Sequence, residues 1–444
     1  MIDVVAAERL LEAWERGFDA DEAERWIAEQ PAYQNITYPL ALPPLVIDGS
    51  RLQEHRFSVE AYLALLEKLV ALYRQHRQIR ALFHLDTAAA ELIDAEAEPA
   101  RAIRVCRLDG YVDANSGRYQ VLEHNADCPA GTLFTPRLNT IVRRLLGDHA
   151  PRPRLAMDSA DPFTALLLSV GRAVASGRAP AFAVLQIRGR ANRESHEVAA
   201  VLRMAGCTCE VVDPRDLALS SDGWIAAGCR LDVIWNKINT AAWAVLVQEA
   251  PELVGWFATA MQHSAAPCHI NSFAARYVAE SKTALAVLRS DVLARWLTAE
   301  EQELIARLVP WTERLVRDGE VAYEGVRWPL GRLVLERRPE LVLKQCYDIR
   351  GDGVTIGRST ADDAWAAAIE AAWDTGAVLQ RYVPPTRYPV RQLGDLTTQL
   401  LFTSLDSFVF DGQLVGFGSK ASARDKVNLF QGGTKLAVVV GDGP

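Results

Sequence analysis

A change of hydrophobic period near residue 100 limits the possible folds of this chain more than any other feature. Up to residue 85 the apolar residues recur at helical spacing. Val4, Val5, Leu10, Leu11 and Trp14 mark an amphipathic helix over residues 1–30. Pro31 to Pro44 reads as a crossing segment. Ser58 then opens a helix with Leu63, Leu66, Leu69, Leu72 and Tyr73 on one face. Beyond residue 100 the runs Ile103–Asp109 and Arg118–Glu123 have the composition of strands, and Asp113-Ala114-Asn115-Ser116-Gly117 supplies the turn between them.

With the tip of that turn at Asn115–Gly117, Asp109 stands opposite Glu123 and Arg107 opposite Asn125. Opposed residues, and residues two apart, share a face of the hairpin. Leu108, Leu122 and His124 then point the other way. Two carboxylates and an amide oxygen in one place suit a hard, oxygen-seeking cation such as Mg²⁺. Arg107 beside them suits a transferring phosphoryl group. An exposed hairpin with a salt-bridged polar face explains the same pattern, and both readings stay open here.

Residues 156–270 alternate helix and strand: a helix at 162–175, the strand Phe182–Ile187, a helix at 194–205, the strand Cys209–Val212 and the strand Leu231–Trp235. This order predicts a parallel sheet. No G-x-G-x-x-G follows the first strand, so a dinucleotide site is not expected. Farther on, Leu341-Val342-Leu343-Lys344 is an apolar strand that ends in a lysine, and Gly351 and Gly353 lie in the loop after it. A buried lysine needs an anion, and glycine backbone can close over phosphates. The strand Ala377–Tyr382 with Val383-Pro384 offers backbone groups to an adenine edge. A hairpin rim and an edge strand stopped by proline are the plainer readings of these two segments.

Taken in order, these segments resemble the circularly permuted ATP-grasp superfamily, which includes glutathionylspermidine synthetase and eukaryotic-type glutathione synthetase. Arg107-x-Asp109 with Glu123-x-Asn125 resembles its metal motif. Val342-Leu343-Lys344 and the 348–354 loop resemble its ATP lysine and glycine loop, and Leu379–Val383 its adenine strand. Asn271-Ser272-Phe273-Ala274-Ala275-Arg276, with Lys282 beyond, resembles the N-P-F-G-S-R…K segment. Val427–Gly433 resembles the C-terminal N-x-x-x-G-G loop. The order is diagnostic, because the metal carboxylates precede the ATP lysine by more than two hundred residues, as the permutation requires.

The resemblance implies an α/β (α+β) fold: a permuted ATP-grasp core, a pre-ATP-grasp-like parallel unit and a helical N-terminal region. The implied segments are 1–85 (helical), 86–155 (metal hairpin), 156–270 (parallel substrate unit) and 271–444 (ATP-binding part). The cysteine amidase domain that accompanies bacterial glutathionylspermidine synthetase is expected to be absent. Asp109, Glu123 and Asn125 would hold Mg²⁺, and Arg107 would be catalytic. Lys282, Lys344, Gly351, Gly353, Gln380, Tyr382 and Val383 would bind ATP. Arg188, Arg190, Arg424, Gly432 and Gly433 are the substrate candidates, with surface charge as the other reading of the arginines and of Lys420.

Departures from the motif are Ser272 and Ala274 for proline and glycine, Asp352 inside the phosphate loop, and Cys128 where serine or threonine is common. Cys128 is expected to be a packed residue rather than a nucleophile.

The implied activity is ligation of a carboxylate to an amine through an acyl phosphate. The partners would be small molecules: an acid, and an amine on an amino acid, peptide or polyamine. Homodimer formation stays open. A phosphotransferase on the same scaffold, a nucleotide-binding silent partner and a plain α/β binding protein are the rivals. The net charge of −8 argues against a general nucleic-acid binder. No apolar run approaches the roughly 20 residues of a membrane span. The start Met1-Ile2-Asp3 lacks a signal-peptide pattern, and 7 scattered cysteines fit a reduced cytoplasmic chain. Cys207 and Cys209 lack the further ligands of a zinc site.

Overall fold

The computed structural model describes residues 1–17, 25, 41–190, 192–348, 351–392, 397–429 and 432–442. Of the expected first helix, Val4–Gly17 is described. Most of the crossing segment, together with Ile349, Arg350 and Gln431, lies outside the described residues.

Three sheets organise the chain, a mixed α/β architecture. The large sheet has eight strands. Ala41–Leu42, Arg387–Gln392, Gln399–Thr403, Gln413–Ser422, Leu405–Phe410, Val105–Val112 and Tyr119–Asn125 lie side by side in that order, and Thr434–Leu436 pairs with Gln413–Ser422. Every pairing in it is antiparallel. The parallel sheet has the order Cys268–Ile270, Val233–Asn236, Ala181–Leu185, Thr208–Val212. Its two central strands are buried along their whole length, as expected where both faces are covered. The small sheet is antiparallel, in the order Thr312–Arg314, Val378–Arg381, Leu341–Lys344, Val354–Ile356. A further parallel pair joins Leu45–Ile47 to Val438–Val440.

The helix Pro162–Ala175 forms where expected. The Asp161 carboxylate accepts from the amides of Phe163 and Thr164, and Pro162 fills the first turn. Two helix expectations need correction. The long helix runs from Leu52 to Gln75, so Ser58 does not open it. Its hydroxyl donates back to the carbonyl of Glu54 (2.8 Å), an internal use of serine that imitates a cap in sequence.

The sequence predicts a helix around 277–290, but the structure has a π-helical turn, Ala275–Ala279, followed by the helix Thr283–Leu288. Arg276 is buried and donates to the carbonyls of Asp127 (2.7 Å), Asn236 (2.9 Å) and Ile238. The widened turn accommodates that inward arginine and leaves Lys282 at the break.

The back face of the Val105–Asn125 hairpin packs on the long helix. Leu108 and His124 are buried there. His124 donates from Nδ1 to the carbonyl of Ala279 (2.9 Å), so Nε2 accepts from the Tyr62 hydroxyl (2.7 Å).

Candidate functional site

The hairpin sets the site. Close to the turn, Val112 pairs with Tyr119 and Gly110 with Val121. Continued unbroken, this register would place Asp109 opposite Leu122. A β-bulge between Asp109 and Gly110 corrects it, so that Asp109 pairs with Glu123 and Arg107 with Asn125. Leu122 is the extra residue. It was expected on the back face, but the bulge brings it to the cleft.

A cleft of ≈ 780 Å³, counting its open mouth, lies between the large and small sheets. Asp109, Gly110, Tyr111 and Glu123 line it from the hairpin, and Asp406 and Lys420 from the neighbouring strands. Lys344, Gln380, Tyr382 and Val383 line it from the small sheet and its exit, and Gly351 from the loop. Gln380 is fixed by Thr312, its Nε2 donating to the Thr312 hydroxyl (3.1 Å). Tyr382 donates to Asp425 (3.1 Å) and carries the Arg358 guanidinium 4.0 Å above its ring. The glycine loop meets the 425–428 segment, because Lys426 donates to the carbonyl of Val354 (3.0 Å). A Cβ on Gly351 would stand 3.0 Å from the Asn428 amide.

Three carboxylates form a row across adjacent strands: Glu123, Asp109 and Asp406. Cations bracket the row. Arg107 grips Asp109 through Nε (2.5 Å) and Nη2 (2.9 Å), and its Nη1 donates to the carbonyl of Ala130 (2.7 Å). Lys420 bridges Asp109 (2.7 Å) and Asp406 (3.0 Å). Lys282 approaches Glu123 (3.5 Å). Lys344 donates to the carbonyl of Leu122 (2.7 Å), the residue that the bulge removes from the ladder.

These partners set the charges. Burial pushes the Asp109 carboxyl up, but Arg107 and Lys420 outweigh it and hold it at about 2. Burial also works against ionised Glu123, and Lys282 reverses that, leaving the carboxyl below its ordinary value. Asp406 goes the other way: burial and then the Asp109 charge raise it to about 6. Burial draws Lys344 down to about 8, with Glu123 opposing. Desolvation and charge pairing thus set neighbours of one chemical type apart.

Mg²⁺ keeps several waters and takes one or two carboxylates plus phosphate oxygens. Glu123 is half-buried and its one ion pair among the described residues is with Lys282, and Asn125 uses its Nδ2 on the Arg107 carbonyl (3.3 Å), leaving its oxygen for a cation. Asp406 has a buried Oδ1 with no hydrogen-bond partner among the described residues. This donor set fits such an ion. Among the described residues, however, no three acidic, His or Cys side chains converge on one point. Asp109 is engaged by Arg107 and Lys420, so its expected part in holding metal requires those cations to move.

The expected substrate residues lie elsewhere. Arg188 is exposed and paired with Asp216 (2.5 Å), and Arg190 and Arg424 are exposed. Gly432 is exposed at φ 85°, and the Gly433 amide donates to the Asn428 carbonyl (3.1 Å). None of the five lines the cleft. Neither does Gly353, which is packed on Gln345. Burial and then Asp127 push the Cys128 thiol well up, which disfavours a thiolate nucleophile. Asp406 escaped the sequence reading, although it alternates with Phe408 and Phe410 at strand period.

No protein-family profile matches the sequence, and no curated protein matches it. Among solved structures, a glutathione synthetase-like effector from Globodera pallida, in its apo form, aligns over 98% of this chain and 97% of its own, with TM-score 0.59 and 14% identity. The two share a fold. A RimK-domain ATP-grasp protein from Sphaerobacter thermophilus aligns over 55% of this chain and 91% of its own at 16% identity and TM-score 0.27, too low to bear on the architecture.

Proposed function

We propose that this protein is an ATP-dependent ligase that joins a carboxylate to an amine through an acyl phosphate, on a circularly permuted ATP-grasp scaffold. One observation carries the reading. Segments more than two hundred residues apart supply the two walls of a single cleft: a carboxylate row from one sheet, and Lys344 with Gln380, Tyr382 and Val383 from the other. Adenine would lie against Gln380–Val383 and the triphosphate would run toward Glu123. Lys344 and Lys282 would take phosphate oxygens, and Arg107 the charge of the transferring group. Glu123 and Asn125 would hold Mg²⁺, joined by Asp109 once ATP draws Lys420 away. The ion would neutralise the β- and γ-phosphates.

Positioning and charge compensation account for most of such a reaction. The 351–354 and 425–428 segments, already in contact, would exclude water from the acyl phosphate. The parallel unit at 156–270 would present the acid from its side of the hairpin.

The test is ADP release that requires an acid and an amine together. Glu123→Ala should abolish it, and full activity in that variant would refute the metal assignment. A phosphorylated product with no amide would select the phosphotransferase reading instead.

A further inference from the structure

Strands Gln413–Ser422 and Thr434–Leu436 set Lys420 directly opposite Lys435. Like charges so placed repel unless anions intervene. Lys420 has two carboxylates, Asp109 and Asp406. Lys435 has none within ion-pair distance among the described residues, and its Nζ reaches only the Thr135 hydroxyl, at 3.4 Å. Nearby Glu194 is already taken by Lys237 (2.8 Å) and by the amides of Gly131 (3.0 Å) and Leu133 (3.3 Å). Burial, and then repulsion from Arg107, draw the Lys435 ammonium down to about 8. A desolvated cation with one neutral partner lacks an anion.

The position identifies that anion. Lys282 and Lys344 attend the Glu123 end of the acid row, and the cleft runs on past Asp109 to Asp406 and Lys420. Lys435 stands at the Asp406 end, beside Gly131, whose added Cβ would meet Nζ at 3.2 Å. Arg107 reaches the same turn through the Ala130 carbonyl.

We propose that Lys435 and Arg107 hold the reacting carboxylate of the acid substrate, and then the acyl phosphate made from it. This rests on the ligase reading. One carboxylate oxygen attacks the γ-phosphorus of ATP, the bond from that phosphorus to the bridging oxygen breaks, and ADP leaves. The amine nitrogen then attacks the acyl carbon. Phosphate departs with the electrons of the C–O bond and takes the proton that the nitrogen gives up. The oxyanion stays between the two cations throughout.

Inorganic phosphate is the probe, titrated calorimetrically into the full chain with MgADP present. Wild type should bind it, and Lys435→Met should weaken binding by at least about tenfold, the loss of one charge-assisted contact. Lys435→Arg should restore most of it, which separates lost charge from a damaged fold. Equal affinity in wild type and Lys435→Met, or no phosphate binding by wild type, overturns the proposal. In the ADP-release assay with a panel of amino acids, Lys435→Met should raise KM for the acid by about tenfold and leave KM for ATP nearly fixed. A parallel rise in both also overturns it. Lysine-dependent phosphate binding without ADP release for any acid would sink the ligase reading alone and leave the oxyanion site standing.

Discussion

Lys344 and His124 carry charge states imposed by their surroundings, and each gives a pH signature. Lys344, lowered to about 8 by burial, is protonated below that pH and able to meet phosphate. KM for MgATP should therefore be flat below pH 8 and rise above it. Lys344→Arg should flatten the profile, and a wild-type profile level through pH 9.5 would contradict the assignment. His124 is held at about 4 by burial, below its unfolded value of 6.5. The unfolded chain binds the extra proton, so this stabilisation is complete above pH 6.5 and drains away as pH falls toward 4. The full loss, reached below pH 4, is on the order of 3 kcal/mol, of which about 2 kcal/mol is lost by pH 5. Urea midpoints at pH 7.5 and pH 5 should differ accordingly, and less so in His124→Asn. Tyr62→Phe, which strips Nε2 of its donor, should cost about 1–3 kcal/mol in the same measurement.

At the scale of elements, the bulged hairpin carries the site. Gly110 sits at the irregularity, and a Cβ there would stand 2.4 Å from the Gln120 carbonyl and 2.6 Å from the Tyr119 ring. Gly110→Ala should lower the denaturation free energy by about 1–3 kcal/mol and reduce MgATP affinity, read by chemical unfolding and fluorescence titration. Unchanged values in both would mean that the bulge does not set the carboxylate row. The hairpin was legible because a turn signal and a two-residue period are local. The bulge was not, because nothing in Val121-Leu122-Glu123 marks which residue leaves the ladder. The carboxylate partner of Asp109 in the next strand, Asp406, was illegible for another reason: only long-range pairing brings residue 406 beside residue 109. Likewise Pro389 disguised the strand Arg387–Gln392, which lies near a sheet margin closed by the short Ala41–Leu42. The parallel unit could be read in advance because alternating buried strands and capped helices announce themselves locally.

For the whole molecule, the cleft joins two sheets, so its ligand should tie them together. MgATP at about 100 times its Kd should add about 2.7 kcal/mol to stability, seen as a higher Tm that vanishes when EDTA removes the metal. A Tm indifferent to MgATP would favour a plain binding protein of another kind. Among the described residues no helix is long and apolar enough to cross a membrane.

The strand Val105–Val112 has Leu405–Phe410 as its neighbour, some three hundred residues along the chain. On a ribosome, the acidic hairpin therefore emerges long before the strand that brings Asp406 and the one that brings Lys420. Until they arrive one edge of the hairpin is open and its acids lack Lys420, so a nascent polypeptide cannot complete its main sheet.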